Sequence, residues 1–178
     1  MGKSALPLAR VYQLLEPGPV VLVATRAPER PNVMAMSWHL MMEFTPPLVG
    51  CVLSNRNYSY ELLLKTRECT LNIPTRALAR AVVGCGNVSG RRRDKFASFG
   101  LTAVPARAVA APLIAECYAS LECRIADTTL VRRYNLFVLE VVQAWIDRSV
   151  RRPRTIHHMG YGRFMVAGDV LRLPSRMK

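Results

Sequence analysis

Large apolar residues alternate with smaller or more polar ones over residues 32–44, NVMAMSWHLMMEF. The even positions, from Met34 through Trp38 to Phe44, are all large and apolar. A period of two is typical of a β-strand with two different faces. We therefore predict one strand that runs up to the pair Pro46-Pro47 and packs its even face into a core.

The odd face of this strand begins with small side chains. Val33, Ala35 and Ser37 are too small to fill a core by themselves. Small side chains allow another group to approach the backbone closely. We expect such a group to lie against Ala35 and Ser37; the alternative is that Ala35 faces a neighbouring strand of a barrel.

Similar strand patterns recur along the chain, separated by Pro, Gly and Asn turn signals. Strands are predicted over residues 19–26, 48–54, 69–74, 117–126 and 134–146, with a turn-rich hairpin over 154–168. Helices are predicted over residues 4–15, 58–67, 77–85 and 94–99, the third ended by Gly84 and Gly86. Because strands dominate and do not alternate with crossover helices, we predict a mainly β protein, a closed antiparallel β-barrel with inserted helices.

Length and composition indicate one globular domain over residues 1–178. About half of the chain is hydrophobic, 51%, which is enough for a substantial core. We find no apolar run long enough to span a membrane and no export signal, so we expect a cytoplasmic protein without a membrane partner. The five cysteines are an odd number and form no Cys-x-x-Cys pair, so we expect buried thiols and no metal site.

The chain has a formal net charge of +13, which predicts attraction to anions without identifying them. The basic residues gather in two places, Arg91 to Arg93 and Arg148 to Arg154. Nucleic acid, a phosphorylated cofactor and a solvated basic face are all compatible with this distribution.

Motifs for side-chain nucleophiles and for nucleotide phosphates are absent. There is no Gly-x-Ser-x-Gly elbow and no Walker loop, and GCGNVSG spaces its glycines wrongly for a dinucleotide fingerprint. His39, His157 and His158 lack metal-ligand spacing with a carboxylate. The catalytic residues are therefore left unassigned, and an enzyme with this sequence would rely on a cofactor.

Several short motifs follow one another in a characteristic order. They are Asn-x-Met-x-x-Ser-Trp from Asn32, Pro46-Pro47, SNRNYSYELL from Ser54, TLNIP from Thr70, GNVSGRRRDKF from Gly86 and PLIAECYASLEC from Pro112. In this order and at these separations they resemble the flavin reductase-like family of FMN-binding split-barrel proteins, which includes flavoredoxin. The resemblance covers roughly residues 19–168.

The resemblance implies a Greek-key split β-barrel that forms a homodimer and binds FMN non-covalently near the subunit interface. Residues 32–38 would lie beside the flavin ring, the turn 54–59 would hold the phosphate, and the loop 89–95 would close over the cofactor. The cofactor-binding residues implied in this way are Asn32, Met34, Ala35, Met36, Ser37, Trp38, Ser54, Asn57, Tyr58, Ser59, Asn72, Ser89, Gly90, Arg91 and Lys95.

The family implies an oxidoreductase, a flavoprotein that passes electrons from NAD(P)H to flavin or to a downstream acceptor. The alternative within the family is a flavoredoxin-type carrier that receives electrons from a protein and uses no nicotinamide. From another class, the charge allows a nucleic-acid-binding module, or the chain could be a non-catalytic flavin sensor. Nucleic acid is not expected, because the arginine clusters lack interleaved aromatic residues.

Overall fold

A computed structural model describes residues 2–175 of the chain. The strands are β1 Lys3–Ala5, β2 Val21–Thr25, β3 Asn32–Met36, β4 His39–Phe44, β5 Pro47–Val52, β6 Glu68–Ile73, β7 Ala103–Val104, β8 Leu113–Ile114, β9 Ala119–Asp127, β10 Leu136–Asp147, β11 Ile156–His158 and β12 Phe164–Val166. The helices are α1 Tyr12–Leu15, α2 Tyr58–Thr66, α3 Ala79–Asn87, α4 Lys95–Ser98 and α5 Val131–Tyr134, with short 3-10 helices at Leu8–Arg10 and Arg76–Leu78.

An eight-stranded antiparallel sheet forms the body of the protein. Its order is β3-β2-β6-β9-β10-β5-β4, with β1 paired to β10. The sheet curls back on itself, because its end strands β3 and β4 follow each other along the chain and only residues 37 and 38 separate them. Strands β5 and β6 lie on opposite sides of the β9–β10 pair, and this strand order is typical of Greek-key connections. The prediction of a mainly β split barrel with inserted helices is confirmed.

Strand β2 separates two apolar clusters, and all five of its residues are buried. Val21 and Val23 point into the barrel interior, whereas Leu22 and Ala24 belong to a second cluster that includes Val82 of α3. Burial on both faces explains the uninterrupted apolar run of this strand. The second cluster fixes α3 and α4 on the outside of the sheet, where they form one wall of the cleft described below.

The long strand predicted over residues 32–44 is two strands, and its even face changes environment between them. Met36 is 5% exposed, whereas Trp38 is 72% exposed. The reason is that β3 pairs with β2 and β4 pairs with β5, so the chain turns a barrel corner at residues 37 and 38. The prediction that Trp38 packs inward is wrong.

Two predicted helices also differ from the structure. Residues 4–15 begin as the end of β1, which pairs with β10, and only Tyr12–Leu15 is α-helical. Helix α3 continues through Gly84 and Gly86 to Asn87 instead of ending at the glycines. Gly84 serves packing, because a Cβ there would lie 2.8 Å from Cζ of Phe99 and still closer to other ring atoms.

The remaining predicted elements agree with the structure to within a few residues, including the C-terminal hairpin β11–β12. All five cysteines are buried free thiols. Among residues 2–175, no helix has the length and apolar character needed to cross a membrane.

Candidate functional site

A cleft of about 340 Å³ lies where β3, the start of α2, the end of α3 and the following loop meet. It is lined by Asn32, Met34, Ala35, Arg56, Asn57, Tyr58, Ser59, Cys85, Gly86, Asn87, Val88, Ser89, Gly90 and Lys95. We call it the β3–α2 cleft. It brings together predicted residues from three separate motifs of the sequence.

Asn32 stands at the centre of this cleft with its side chain buried. Its amide nitrogen donates to Ser59 Oγ at 2.8 Å and to Thr25 Oγ1 at 3.1 Å. Its Oδ1 is buried and has no hydrogen-bond partner among residues 2–175. Such orphaned acceptors are uncommon in folded proteins and call for an explanation.

Gly90 brings the loop after α3 against Asn32. A Cβ at position 90 would lie 2.9 Å from Cγ of Asn32 and would collide with Oδ1. Only glycine therefore allows this loop to close so tightly over the cleft.

Lys95 adds a buried positive charge. Its side chain is 5% exposed, and Nζ donates to the carbonyl oxygen of Cys85 at 2.8 Å. Burial lowers the pKa of Lys95 below its ordinary value, an effect that the nearby Cys85 thiol opposes. Burial in turn raises the pKa of Cys85 to about 11, so Cys85 is a neutral thiol and a weak nucleophile near pH 7.

The first turn of α2 contributes backbone donors to the same cleft. Asn57 occupies the N-cap position with extended backbone, but its side chain makes no capping hydrogen bond. The free N–H groups at a helix N-terminus favour anions, and the helix dipole adds to this preference. Lys95 and the start of α2 therefore make the β3–α2 cleft suited to a phosphate group.

Two smaller clefts extend the site in both directions. One, of about 290 Å³, shares Asn32, Tyr58 and Gly90 with the β3–α2 cleft and adds Arg91. Arg91 pairs with Glu61 at this outer end, and its guanidinium lies 4.6 Å from the centroid of the Tyr58 ring. This arginine is half exposed, so it borders the entrance and does not reach the floor.

The second extension, of about 250 Å³, follows the face of β3 that carries the small side chain of Ala35, which we call the thin face. It shares Ala35, Gly86 and Asn87 with the β3–α2 cleft and adds Met36 and Ser37, with His158 and Phe164 from the hairpin. The hairpin therefore covers the end of the groove, and His158 contacts Phe164 at 5.4 Å between ring centroids.

The model of the flavin reductase like domain family matches residues 14–164, most of the chain. The chain belongs to this family. The Escherichia coli protein YddH, which is uncharacterised, is 32% identical over 177 residues, covering 92% of this chain and 94% of YddH.

Solved structures in the flavin reductase-like family show the same fold. An FMN-binding domain of a flavin reductases-like enzyme from Shewanella baltica OS155 superimposes with a TM-score of 0.92 at 27% identity, covering 97% of this chain and 98% of that one. The flavoredoxin of Desulfovibrio vulgaris (Miyazaki F) gives a TM-score of 0.80 at 29% identity, covering 88% and 90%.

Three of the residues carried over from the flavin reductase-like family do not line the cleft or its extensions. Trp38 is on the exterior of the barrel. Ser54 is at the turn before α2, where its Oγ accepts from the N–H of Arg56 at 3.3 Å. Their roles in cofactor binding stay predictions.

Asn72 is the third of these residues, and it is completely buried in β6. Its amide nitrogen donates to Thr70 Oγ1 at 2.9 Å and to the Leu22 carbonyl at 3.2 Å, and its Oδ1 accepts from the N–H of Ile114 at 3.0 Å. These bonds tie β2, β6 and β8 together, so the structure gives Asn72 a role in the core.

The predicted cofactor-binding residues did not include the end of α3. The cleft is lined by Cys85, Gly86, Asn87 and Val88, and α3 runs to Asn87, whereas the sequence predicted that it ends at residue 85. A Cβ at Gly86 would lie 3.9 Å from that of Ala35, so α3 itself approaches the thin face of β3. The usable signal was the pair of glycines within GCGN, next to a segment predicted to contact a ligand.

Proposed function

We propose that this flavin reductase-like protein binds FMN in the β3–α2 cleft and passes electrons from NAD(P)H to flavin or to a downstream acceptor. The observation that supports it best is the combination of buried Lys95, the open first turn of α2 and the unpartnered Asn32 Oδ1 in one cleft. These groups provide a cation, a set of amide donors and an acceptor. They fit FMN, because it carries a phosphate group and its ring has a polar edge.

The cofactor is FMN, bound by its phosphate at one end and by its ring at the other. Lys95, Ser59 and the N–H groups of the first turn of α2 hold the phosphate. Ala35 and Ser37 leave space beside β3 for a flat ring. FMN is preferred to FAD because no second, adenine-binding motif accompanies this phosphate site.

When bound, the flavin would accept hydride and transfer electrons onward. The side chains of the cleft bind it, orient it and shield it from water. NAD(P)H would contact the bound flavin transiently, because no separate nucleotide-binding domain is present among residues 2–175.

The colour of the purified protein and its bleaching test this proposal. The chromophore released on denaturation should be FMN by chromatography, and NADH or NADPH should bleach the holoprotein anaerobically. A colourless protein that fails to bind added FMN contradicts the cofactor assignment. The carrier alternative, which the similarity to flavoredoxin supports, requires that neither nucleotide bleaches the flavin while a reduced iron–sulfur protein does.

We also propose that the protein is a homodimer. Trp38, Leu40, Met42 and Phe44 form a stripe on the outside of β4 and are 72%, 54%, 47% and 45% exposed. We call this set the β4 stripe. Exposed apolar surface of this kind on a barrel marks a protein interface. A second copy is the occupant we favour, because the resemblance to the flavin reductase-like family implies a homodimer.

The cytoplasmic location expected from the sequence is part of the same proposal. All five cysteines are buried and free, which suits a reducing compartment.

A further inference from the structure

The second arginine cluster of the sequence lines a cleft of its own, of about 810 Å³. Arg151 and Arg152 line it together with Arg172 from the C-terminal segment. We call it the arginine cleft. It shares no lining residue with the β3–α2 cleft or with its two extensions.

Hydrogen bonds hold part of the backbone around the arginine cleft in place. The turn before Arg151 is fixed by Asp147, whose Oδ1 accepts from the Ser149 N–H at 2.9 Å and from its hydroxyl at 2.6 Å. The start of the C-terminal segment is fixed by the N–H of Ala167, which donates to the Thr155 carbonyl at 2.8 Å. The turn that leads into Arg151 and Arg152 is therefore held without a ligand, which reduces the entropic cost of binding one.

The arginine cleft carries an excess of positive charge among its lining residues. None of the three guanidinium groups forms an ion pair with a residue in the range 2–175. One carboxylate, that of Asp169, lines the cleft with them. Guanidinium groups bind phosphate through two parallel hydrogen bonds, and an anion between them would relieve their mutual repulsion.

Tyr118 supplies a further donor. Its side chain is 7% exposed and lines the cleft, and its hydroxyl has no hydrogen-bond partner among residues 2–175. Burial raises the pKa of Tyr118 to about 12, so the hydroxyl keeps its proton near neutral pH. A protonated phenol donates to an anionic oxygen.

We propose that the arginine cleft binds a small organic phosphate of nucleotide size that carries two or more negative charges. The volume exceeds what inorganic phosphate requires and lies within the range of small-molecule sites. Leu14, Pro17 and Val170 add apolar surface for an uncharged part of the ligand, such as a base. This inference is independent of the flavin proposal, because the two clefts share no residue.

Calorimetric titration with ADP and with inorganic phosphate tests the proposal, using protein saturated with FMN so that the flavin cleft is occupied. One ADP should bind per chain, more tightly than phosphate, and its affinity should fall as salt is added. Arg151→Ala with Arg152→Ala should weaken ADP binding at least about tenfold. The matched control is Arg132→Ala with Arg133→Ala, an exposed pair on α5 that lines none of these clefts.

Tyr118→Phe provides a second variant, which removes the hydroxyl and keeps the ring. It should weaken ADP binding several-fold and leave bound FMN in place. Failure of the wild-type protein to bind ADP, equal losses in the two arginine pairs, or release of FMN by ADP would overturn the proposal. So would tighter binding of a single-stranded oligonucleotide than of ADP, since that would indicate diffuse attraction to polyanions.

Discussion

Lys95 is a lysine whose side chain is almost completely enclosed, and this determines what its loss should do. Within residues 2–175 the ammonium makes one hydrogen bond, at 2.8 Å to the Cys85 carbonyl, which leaves donors for a ligand. A charge-assisted hydrogen bond contributes about 1.5–3 kcal/mol. We therefore predict that Lys95→Met weakens FMN binding by about ten- to a hundredfold in a fluorescence titration.

The matched control for this variant is Lys65→Met, which removes an exposed lysine in the last turn of α2. Its effect on FMN affinity should be negligible. Equal affinities of the two variants for FMN would mean that Lys95 contributes only to the fold. Neutralising Arg91 together with Lys95 should also cost more affinity than neutralising Arg151 with Arg152.

The lowered pKa of Lys95 predicts opposite pH trends for FMN affinity and for apoprotein stability. As pH rises towards the ordinary lysine value of 10.5, Lys95 loses its charge before an exposed lysine does, so FMN affinity should fall. The unfolded chain binds more protons in that range, so the contribution of Lys95 to the free energy of unfolding should rise with pH. FMN affinity and the free energy of unfolding are measured against pH for the wild-type protein and for Lys95→Met, and the differences between them isolate the contribution of Lys95. Differences that do not depend on pH would contradict both trends.

At the scale of elements, the contact between α3 and β3 offers a test of the thin face. Gly86→Ala places a Cβ 3.9 Å from that of Ala35, an ordinary contact, while it narrows the groove. Alanine favours a helix over glycine by up to about 1 kcal/mol, so the apoprotein should become slightly more stable. FMN binding should nevertheless weaken, as measured by titration of the same preparation.

Ala35→Leu fills the same space from the strand. Overpacking costs about 1–3 kcal/mol, so FMN should bind about ten- to a hundredfold more weakly. Leucine here also presses on α3, so we expect some loss of apoprotein stability, unlike in Gly86→Ala. Unchanged FMN affinity in both variants would show that the thin face serves helix packing alone.

Glu122 anchors the loop before β8 to the sheet. Its buried carboxylate accepts from the N–H groups of Arg107 at 3.0 Å and Val109 at 3.2 Å, and from Trp145 Nε1 at 2.6 Å. Glu122→Gln replaces one of the two carboxylate oxygens with an NH2 group, so the N–H donors that this oxygen served lose their acceptor, which costs about 1–3 kcal/mol. Urea unfolding should show this loss, and Glu16→Gln, an exposed carboxylate without such bonds, should not.

Element types were predictable from the sequence because the apolar pattern reports burial directly. Strand β2 and helix α2 were found in this way, and the family motifs located Asn32, Ser59 and Lys95. The corner at residues 37 and 38 was not predictable, because the period-two pattern continues unbroken while the environment of the even face changes from core to surface. The prediction that Gly84 helps to end α3 failed for a similar reason. This glycine is needed for close packing against Phe99, and the sequence pattern does not show that contact.

At the scale of the whole molecule, the β4 stripe is an exposed apolar surface. This surface predicts the oligomeric state of the protein. Leu40 and Met42 lie over Gly50, where an added Cβ would be 3.0 Å from Cδ2 of Leu40 and 3.1 Å from Sδ of Met42. Leu40 and Met42 are thus supported from below, while Phe44 at the end of the stripe contacts the ring of Tyr12. We predict a homodimer of the 19.9 kDa chain by light scattering, with FMN bound to each subunit.

Leu40→Glu combined with Met42→Glu should convert this dimer into a monomer, because two charges on each copy would be buried against the same charges of the other. Leu130→Glu is the matched control, since it changes a leucine that is 41% exposed at the start of α5. It should leave the dimer intact. A wild-type protein that is monomeric while holding FMN would contradict the assignment of the β4 stripe to a second copy. A dimer that survives both glutamates would show that the subunits meet through another face.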